Sequence, residues 1–339
     1  MQTPLSKLAA LALFAALAAP PGVRAQTAAP LPALGADPAQ VSVSGLSSGA
    51  FMAVQYQVAY SASVKGAGVI AGGPYYCVAG NLSYAGICMG LVPYAPPNPA
   101  LMLGAAQGFA ANGQIDALAN LKRARIYLFS GTRDTIVLTS AVDAAAAFFR
   151  LAGVPDANLA YVKNLPAGHA FITPAQGNAC DTNGPPYVNH CRVGAAPYDQ
   201  AGAILSTIYG ALVPPAAKLS GRIVTFNQRE FAPASSGMTN DAYAYVPQGC
   251  GTGTSCKVHV VFHGCTQPAA VVRDETTYDN WADTNGIIVL YPQVAASNVP
   301  YNPQGCWDWF AYTGQNYAWK SGVQMMAVRA MIERLVATP

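Results

Sequence analysis

Three residues of this chain have the types and the order of a hydrolytic triad: Ser47, Asp134 and His169. Ser47 is the centre of Gly45-Leu46-Ser47-Ser48-Gly49, a G-x-S-x-G pentapeptide. In that motif a strand ends, the chain turns sharply at the serine and a helix begins, which leaves the hydroxyl exposed and the next backbone N–H aimed at a developing oxyanion. Gly45 and Gly49 would let the turn pack tightly, and Ser48 would supply the N–H. A chain with 32 glycines can contain the pentapeptide by chance, so its flanks decide its meaning. VSVS before it alternates like a strand, and AFMAVQYQVAYSASV after it carries apolar residues at helical spacing.

A serine nucleophile needs a base, and the base needs an orienting carboxylate. There are four histidines. His259 lies inside KVHVVF and reads as a packed strand residue, while His190 sits in a loop of Pro, Asn and Cys. His169 follows a strand-like run in PAGHAF, the place of the histidine in the order Ser…Asp…His. Its plainer reading is a loop histidine that caps the following segment. Asp134 ends YLFSGTRD, where a buried-looking strand runs out into a turn. Active residues of open α/β sheets gather at such carboxyl ends. The plainer reading, a surface pair with Arg133, is weakened because adjacent side chains usually point apart. In the triad Asp134 would orient His169, His169 would take the proton of Ser47, and Ser47 would attack an acyl carbon. The cysteine spacings include no C-x-x-C and there is no H-E-x-x-H, so neither a metal nor another cofactor is expected.

The scaffold for these residues is legible as alternation. Strand-like runs occur at 66–71, 125–130, 159–163, 222–226, 242–246, 257–262 and 286–291, with helical patterns such as 141–152 and 323–336 between or after them. That pattern implies an α/β fold, a mostly parallel sheet flanked by helices. Residues 1–25 stand apart: Lys7 precedes an apolar run from Leu8 to Ala19, two prolines break it, and Val23-Arg24-Ala25 offers a cleavage site. The run is too short for a membrane span, which needs about 20 apolar residues. A cleaved signal peptide and a secreted protein are therefore expected, with 26–339 as a single catalytic domain that no linker or repeat divides. Hydrophobic residues make up 52% of the chain and charged ones 10%, with no basic stripe. Nucleic acid is thus excluded as a partner, and a monomer is expected.

Eight cysteines in an exported chain point to disulfides. Many connectivities are open. Proximity suggests Cys77 with Cys88, Cys180 with Cys191 and Cys250 with Cys256, which leaves Cys265 with Cys306. An oxyanion hole also needs a second N–H, normally from a loop that precedes the elbow. Nothing suitable lies between Gln26 and Val41, whereas KVHVVF runs far downstream into His263-Gly264-Cys265-Thr266-Gln267. Segments that usually precede the nucleophile strand here come last, as a circular permutation would arrange them.

Together these pieces resemble the poly(3-hydroxybutyrate) depolymerases, specifically those whose oxyanion segment follows the triad. The likeness runs through VSVSGLSSGAFMAVQ, AGVIAGGPYYC, LFSGTRDTIV, GHAF, VVFHGCTQ and NPQGCWDWF, with HGCTQ and GCWDWF the most specific. It implies a circularly permuted α/β-hydrolase fold. It also implies Ser47, Asp134 and His169 as triad, the amides of Ser48 and Cys265 as oxyanion donors, and His263 as a residue that shapes the oxyanion loop. Trp307 would line the cleft that binds the polyester, and a Cys265–Cys306 bond would tie the two site loops together. For Trp307 and Trp309 the alternative is core packing, both rings sharing one face if W-D-W is extended. The sequence ends at Pro339 shortly after the terminal helical pattern, without the linker and separate polymer-binding domain of many family members. Amorphous polymer or soluble oligomers are therefore the expected substrates. The competing readings are a general or feruloyl-type carboxylesterase, and a silent polymer- or carbohydrate-binding protein, against which the complete Ser/Asp/His set argues.

Overall fold

The computed structural model describes residues 28–251 and 255–339; the expected signal peptide lies outside them. Among the described residues the strands are β1 (Val41–Leu46), β2 (Val64–Ile70), β3 (Arg125–Phe129), β4 (Leu159–Val162), β5 (Phe171–Thr173), β6 (Val188–His190), β7 (Arg192–Val193), β8 (Ala196–Pro197), β9 (Arg222–Asn227), β10 (Asp241–Val246), β11 (Lys257–Phe262) and β12 (Ile287–Tyr291). Eight of them form one sheet in the order β4-β3-β2-β1-β11-β12-β10-β9, and the remaining four form two small pairs. From β4 to β12 every neighbour is parallel, and β10 runs antiparallel to both of its neighbours.

The helices are α1 (Ser48–Ala59), α2 (Ala85–Cys88), α3 (Pro99–Ala111), α4 (Thr139–Leu151), α5 (Gln200–Tyr209), α6 (Ala269–Glu275), α7 (Tyr278–Asn285) and α8 (Val323–Val336). Residues from α1, α4 and α8 pack with Val43, Val69, Leu128, Val260 and Leu290 on one face of the sheet. Residues from α5 and α7 pack with Phe129, Val261 and Val289 on the other. Both faces are thus closed, the usual condition of parallel sheets. This is also why all six residues of β1 are buried although VSVS alternates. Ser42 and Ser44 point away from the valines and are satisfied there by His259, at 2.6 Å from Nδ1 and 2.8 Å from Nε2 respectively. His259 stacks on Tyr278 and is the packed strand residue its sequence context suggests.

From β1 the chain moves outward through β2, β3 and β4, whereas β11 leads to β12 on the opposite side. The sheet therefore has a switch point between β1 and β11, where open α/β sheets place a crevice beyond the carboxyl ends. Disulfides join Cys77 to Cys88, Cys180 to Cys191, Cys250 to Cys256 and Cys265 to Cys306.

Candidate active site

Ser47 follows β1 and caps α1 with φ 58° and ψ −122°. A non-glycine residue there is strained, and such strain persists only where the surroundings over-determine it. Here they do. The Ser47 N–H donates to the Ile70 carbonyl at 3.0 Å. A Cβ on Gly45 would sit 2.4 Å from the Gly49 carbonyl carbon, and one on Gly49 would sit 2.3 Å from the Phe262 oxygen and 2.5 Å from the His263 oxygen. Both glycines are required because the turn lies against itself and against the end of β11.

Asp134 and His169 come from the loops after β3 and β4. Asp134 Oδ2 is 2.8 Å from His169 Nδ1, and both side chains are almost completely buried. The other carboxylate oxygen accepts the N–H groups of Ile136 at 2.9 Å and Val137 at 3.0 Å. With no donor but the imidazole among the described residues, Oδ2 holds His169 as the Nδ1–H tautomer and leaves Nε2 free to accept a proton. Asp134 forms no ion pair with Arg133; its partner is the histidine. His190, by contrast, is an exposed loop residue whose Nδ1 lies 3.2 Å from the Gly177 carbonyl oxygen.

The segment after β11 forms the opposite wall. The Gly264 N–H donates to Gln267 Oε1 at 2.5 Å, and the Thr266 N–H donates to the Gln304 carbonyl at 2.8 Å. Between them the Cys265 N–H has no acceptor among the described residues, and the Ser48 N–H, in the first turn of α1, has no intrahelical one. These are the two amides that the family resemblance implies as oxyanion donors. His263 is buried and braces the loop: its Nδ1 lies 2.7 Å from the Gly264 oxygen, and its Nε2 accepts the Val294 N–H at 3.1 Å. Burial lowers its pKa to about 4. A neutral ring with both nitrogens engaged cannot serve as a base. Gln267 Nε2 continues the bracing by donating to the Pro186 carbonyl at 3.0 Å.

Ser47, Ser48, His169 and Cys265 open onto one cavity of about 250 Å³, walled by Phe51, Leu82, Met89, Ile136, Val137, Tyr187, Trp309 and Phe310. Trp307 is not part of this wall, unlike what the resemblance implies, and takes the alternative place in the core. Its indole is fully buried, edge-on to Phe262 with centroids 4.9 Å apart, and its N–H backbone group donates to Ser48 Oγ at 3.3 Å. The ring that reaches the cavity is Trp309, stacked on Phe51 at 4.4 Å. The chain bends from Asp308 onward, so W-D-W is not an extended segment. Asp308 is buried and accepts from the amides of Phe310, Tyr312 and Thr313, which holds the bend that follows Trp307.

Sequence reasoning passed over Trp309 as a wall residue, and also Gln267 and Asn183. Asn183 accepts the N–H of His169, yet it stands in a loop without periodicity. Its only signal was its place between two cysteines. Among the described residues no group of three or more His, Cys, Asp and Glu side chains is arranged to hold a metal ion. No helix among them is long and apolar enough to cross a membrane.

No family model matches the chain. It is 45% identical over 317 residues to a poly(3-hydroxybutyrate) depolymerase of Delftia acidovorans, an alignment that covers 90% of this chain and 61% of that protein. To a polyhydroxybutyrate depolymerase of Talaromyces funiculosus it is 37% identical over 336 residues, covering 93% of this chain and 95% of the relative. The chain belongs to the poly(3-hydroxybutyrate) depolymerase family. It spans under two thirds of the bacterial depolymerase and nearly all of the fungal one. Among solved structures it is similar to a serine-to-alanine variant of a PHB depolymerase complexed with an R3HB trimer, with a TM-score of 0.82, 36% identity and coverage of 91% and 98% of the two chains. The crystal structure of a PHB depolymerase from Penicillium funiculosum gives a TM-score of 0.81 and 35% identity over the same shares. The family and α/β-hydrolase fold implied by GLSSG, HGCTQ and GCWDWF are thus those of its relatives.

Proposed function

We propose that this chain is an exported serine esterase that hydrolyses poly(3-hydroxybutyrate), or a related short-chain 3-hydroxyalkanoate polyester and its oligomers, through an acyl-enzyme. The observation that carries the reading is the convergence of Ser47, at a strained elbow, and the Asp134–His169 pair on one apolar cavity in a member of this family. A solved relative in complex with an R3HB trimer supports the choice of substrate.

In this mechanism Ser47 Oγ attacks the ester carbonyl carbon while His169 Nε2 takes its proton, and Asp134 stabilises the resulting imidazolium. The carbonyl oxygen, now negative, receives the Ser48 and Cys265 N–H groups. Collapse breaks the ester C–O bond, His169 returns the proton to the departing hydroxyl end of the chain, and water then releases the acyl group by the same steps. The apolar walls suit a repeat that presents one methyl group per ester. Export is supported by four disulfides, which persist in oxidising compartments. The late oxyanion segment is read as a circular permutation, supported by the Leu34 and Ala36 N–H groups that donate to the Leu335 carbonyl at the end of α8. The test is product analysis after incubation with amorphous poly(3-hydroxybutyrate), with an aryl butyrate alongside. Release of 3-hydroxybutyrate monomer or oligomers by the wild type and not by Ser47→Ala is expected. Turnover of the aryl ester alone would reject the polyester assignment.

A further inference from the structure

We propose that Asn183 is a positioning residue for the reaction, a single side-chain amide that fixes the Asp134 and His169 loops against one another. Its Oδ1 accepts the N–H of His169 at 2.9 Å and that of Thr135 at 3.1 Å. Its Nδ2 donates to the carbonyls of Arg133 at 2.9 Å and Asp181 at 3.2 Å. These four bonds fill the capacity of the amide. All four partners are backbone groups of fixed polarity, so the orientation of the amide is determined by the network itself.

Three of the four contacts go to the backbone that carries the triad: the residues on either side of Asp134, and His169 itself. Direct backbone bonds between the two loops exist as well, from Thr132 N–H to Leu165 and from Arg133 N–H to Ala167, but they lie upstream of the functional side chains. Asn183 acts at the residues from which those side chains project. It is anchored independently of them. The Cys180–Cys191 disulfide closes its segment, and Asn189 Nδ2 donates to the Cys180 and Thr182 carbonyls at 3.0 and 2.8 Å. The same segment lies hard on the histidine loop, since a Cβ on Gly168 would meet the Thr182 oxygen at 2.1 Å. Asn183 does not line the cavity, so it acts on proton transfer and not on substrate contact.

This inference rests on the triad reading, and the experiment keeps the two apart. Steady-state kinetics on a soluble aryl butyrate are measured for the wild type, Ser47→Ala, Asn183→Ala, Asn183→Asp and Asn178→Ala, with a melting curve for each. Asn178 is a matched control: its Nδ2 donates to the Gly184 and Pro185 carbonyls of the same segment and touches neither triad loop. In Asn183→Ala, kcat should fall by about 10- to 100-fold, the scale of a misplaced catalytic group, while KM changes by less than about twofold. Asn183→Asp should fall too, because it keeps both acceptor bonds but turns an oxygen toward two carbonyls; it carries the comparison if the alanine variant does not fold. Asn178→Ala should keep kcat within about twofold of the wild type whatever its melting temperature, against the full loss expected at Asn183. Full kcat in either Asn183 variant, or an equal kcat loss in Asn178→Ala at an equal loss of melting temperature, would overturn the positioning role. Absence of Ser47-dependent turnover in the wild type would instead overturn the reading on which it stands.

Discussion

Asp134→Asn changes one atom, and the surrounding hydrogen bonds determine what that atom does. Oδ1 accepts two backbone N–H groups, from Ile136 and Val137, so the amide of the variant must keep its oxygen there. Its NH₂ then faces His169 Nδ1 at the 2.8 Å now occupied by Oδ2. A donor at that place forces Nδ1 to accept, moves the imidazole proton to Nε2 and leaves His169 unable to deprotonate Ser47. The flipped amide would restore the tautomer but strand two buried N–H donors, each costing about 1–3 kcal/mol. At 1.4 kcal/mol per decade, roughly 2–6 kcal/mol limits the competent population to about 1 in 30 to 1 in 10⁴. Loss of the carboxylate charge lowers turnover further, so kcat should fall by about 10²- to 10⁴-fold or more, with KM nearly unchanged. The assay is steady-state hydrolysis of a soluble aryl butyrate, with circular dichroism to verify folding. A folded variant with kcat within about tenfold of the wild type would refute the assignment of Asp134 as the orienting carboxylate.

Other expectations follow from particular contacts. Gly49→Ala should lower kcat by about 100-fold or more, because its Cβ would meet the Phe262 and His263 carbonyls and push the segment after β11 away from the serine; near-normal kinetics would contradict the tight elbow. Trp309→Ala should weaken kcat/KM on a 3-hydroxybutyrate trimer by about 1–3 kcal/mol while a small aryl ester is barely affected, and equal losses would mean that the ring supports the fold alone. Trp307→Ala should instead cost about 3–5 kcal/mol of stability in urea unfolding, as a fully buried indole. Burial lifts the Asp279 carboxyl, which accepts the Tyr291 hydroxyl, to about 7. Between the ordinary value of 3.8 and about 7 the native state therefore holds a proton that the unfolded chain has released, and stability is lost as pH rises across that window. Asp279→Asn should then raise the urea midpoint near pH 8 and lose this advantage toward pH 4; a pH-independent difference would argue against a protonated Asp279.

The site was legible in the sequence where its signal is local. Gly45, Ser47 and Gly49 state their own geometry, and Asp134 and His169 each follow a strand-like run within a few residues. The core strands were legible for the same reason, as short runs of Val, Ile and Phe. What escaped depends on contacts between distant segments. In α3, PALMLGAAQGFAA has two glycines and no polar face, so it carries no helical period; only Ala106 is buried, and Leu101 is 70% exposed. Ser42 and Ser44 look solvent-facing until His259, more than two hundred residues later, is placed between them. Which of Trp307 and Trp309 meets the cavity depends on the bend held around Asp308, and the contacts of Asn183 depend on the disulfide-closed loop that lies against two others.

The central claim is that Ser47 carries the acyl group, and the most direct test is to catch it there. A 3-hydroxybutyrate trimer mixed with the enzyme, quenched in acid within the first turnovers and digested for mass spectrometry, should yield a hydroxybutyryl adduct on the peptide that contains Ser47. The adduct should be absent in Ser47→Ala. Turnover of the trimer with no adduct on Ser47, or with the adduct on another residue, would contradict the account.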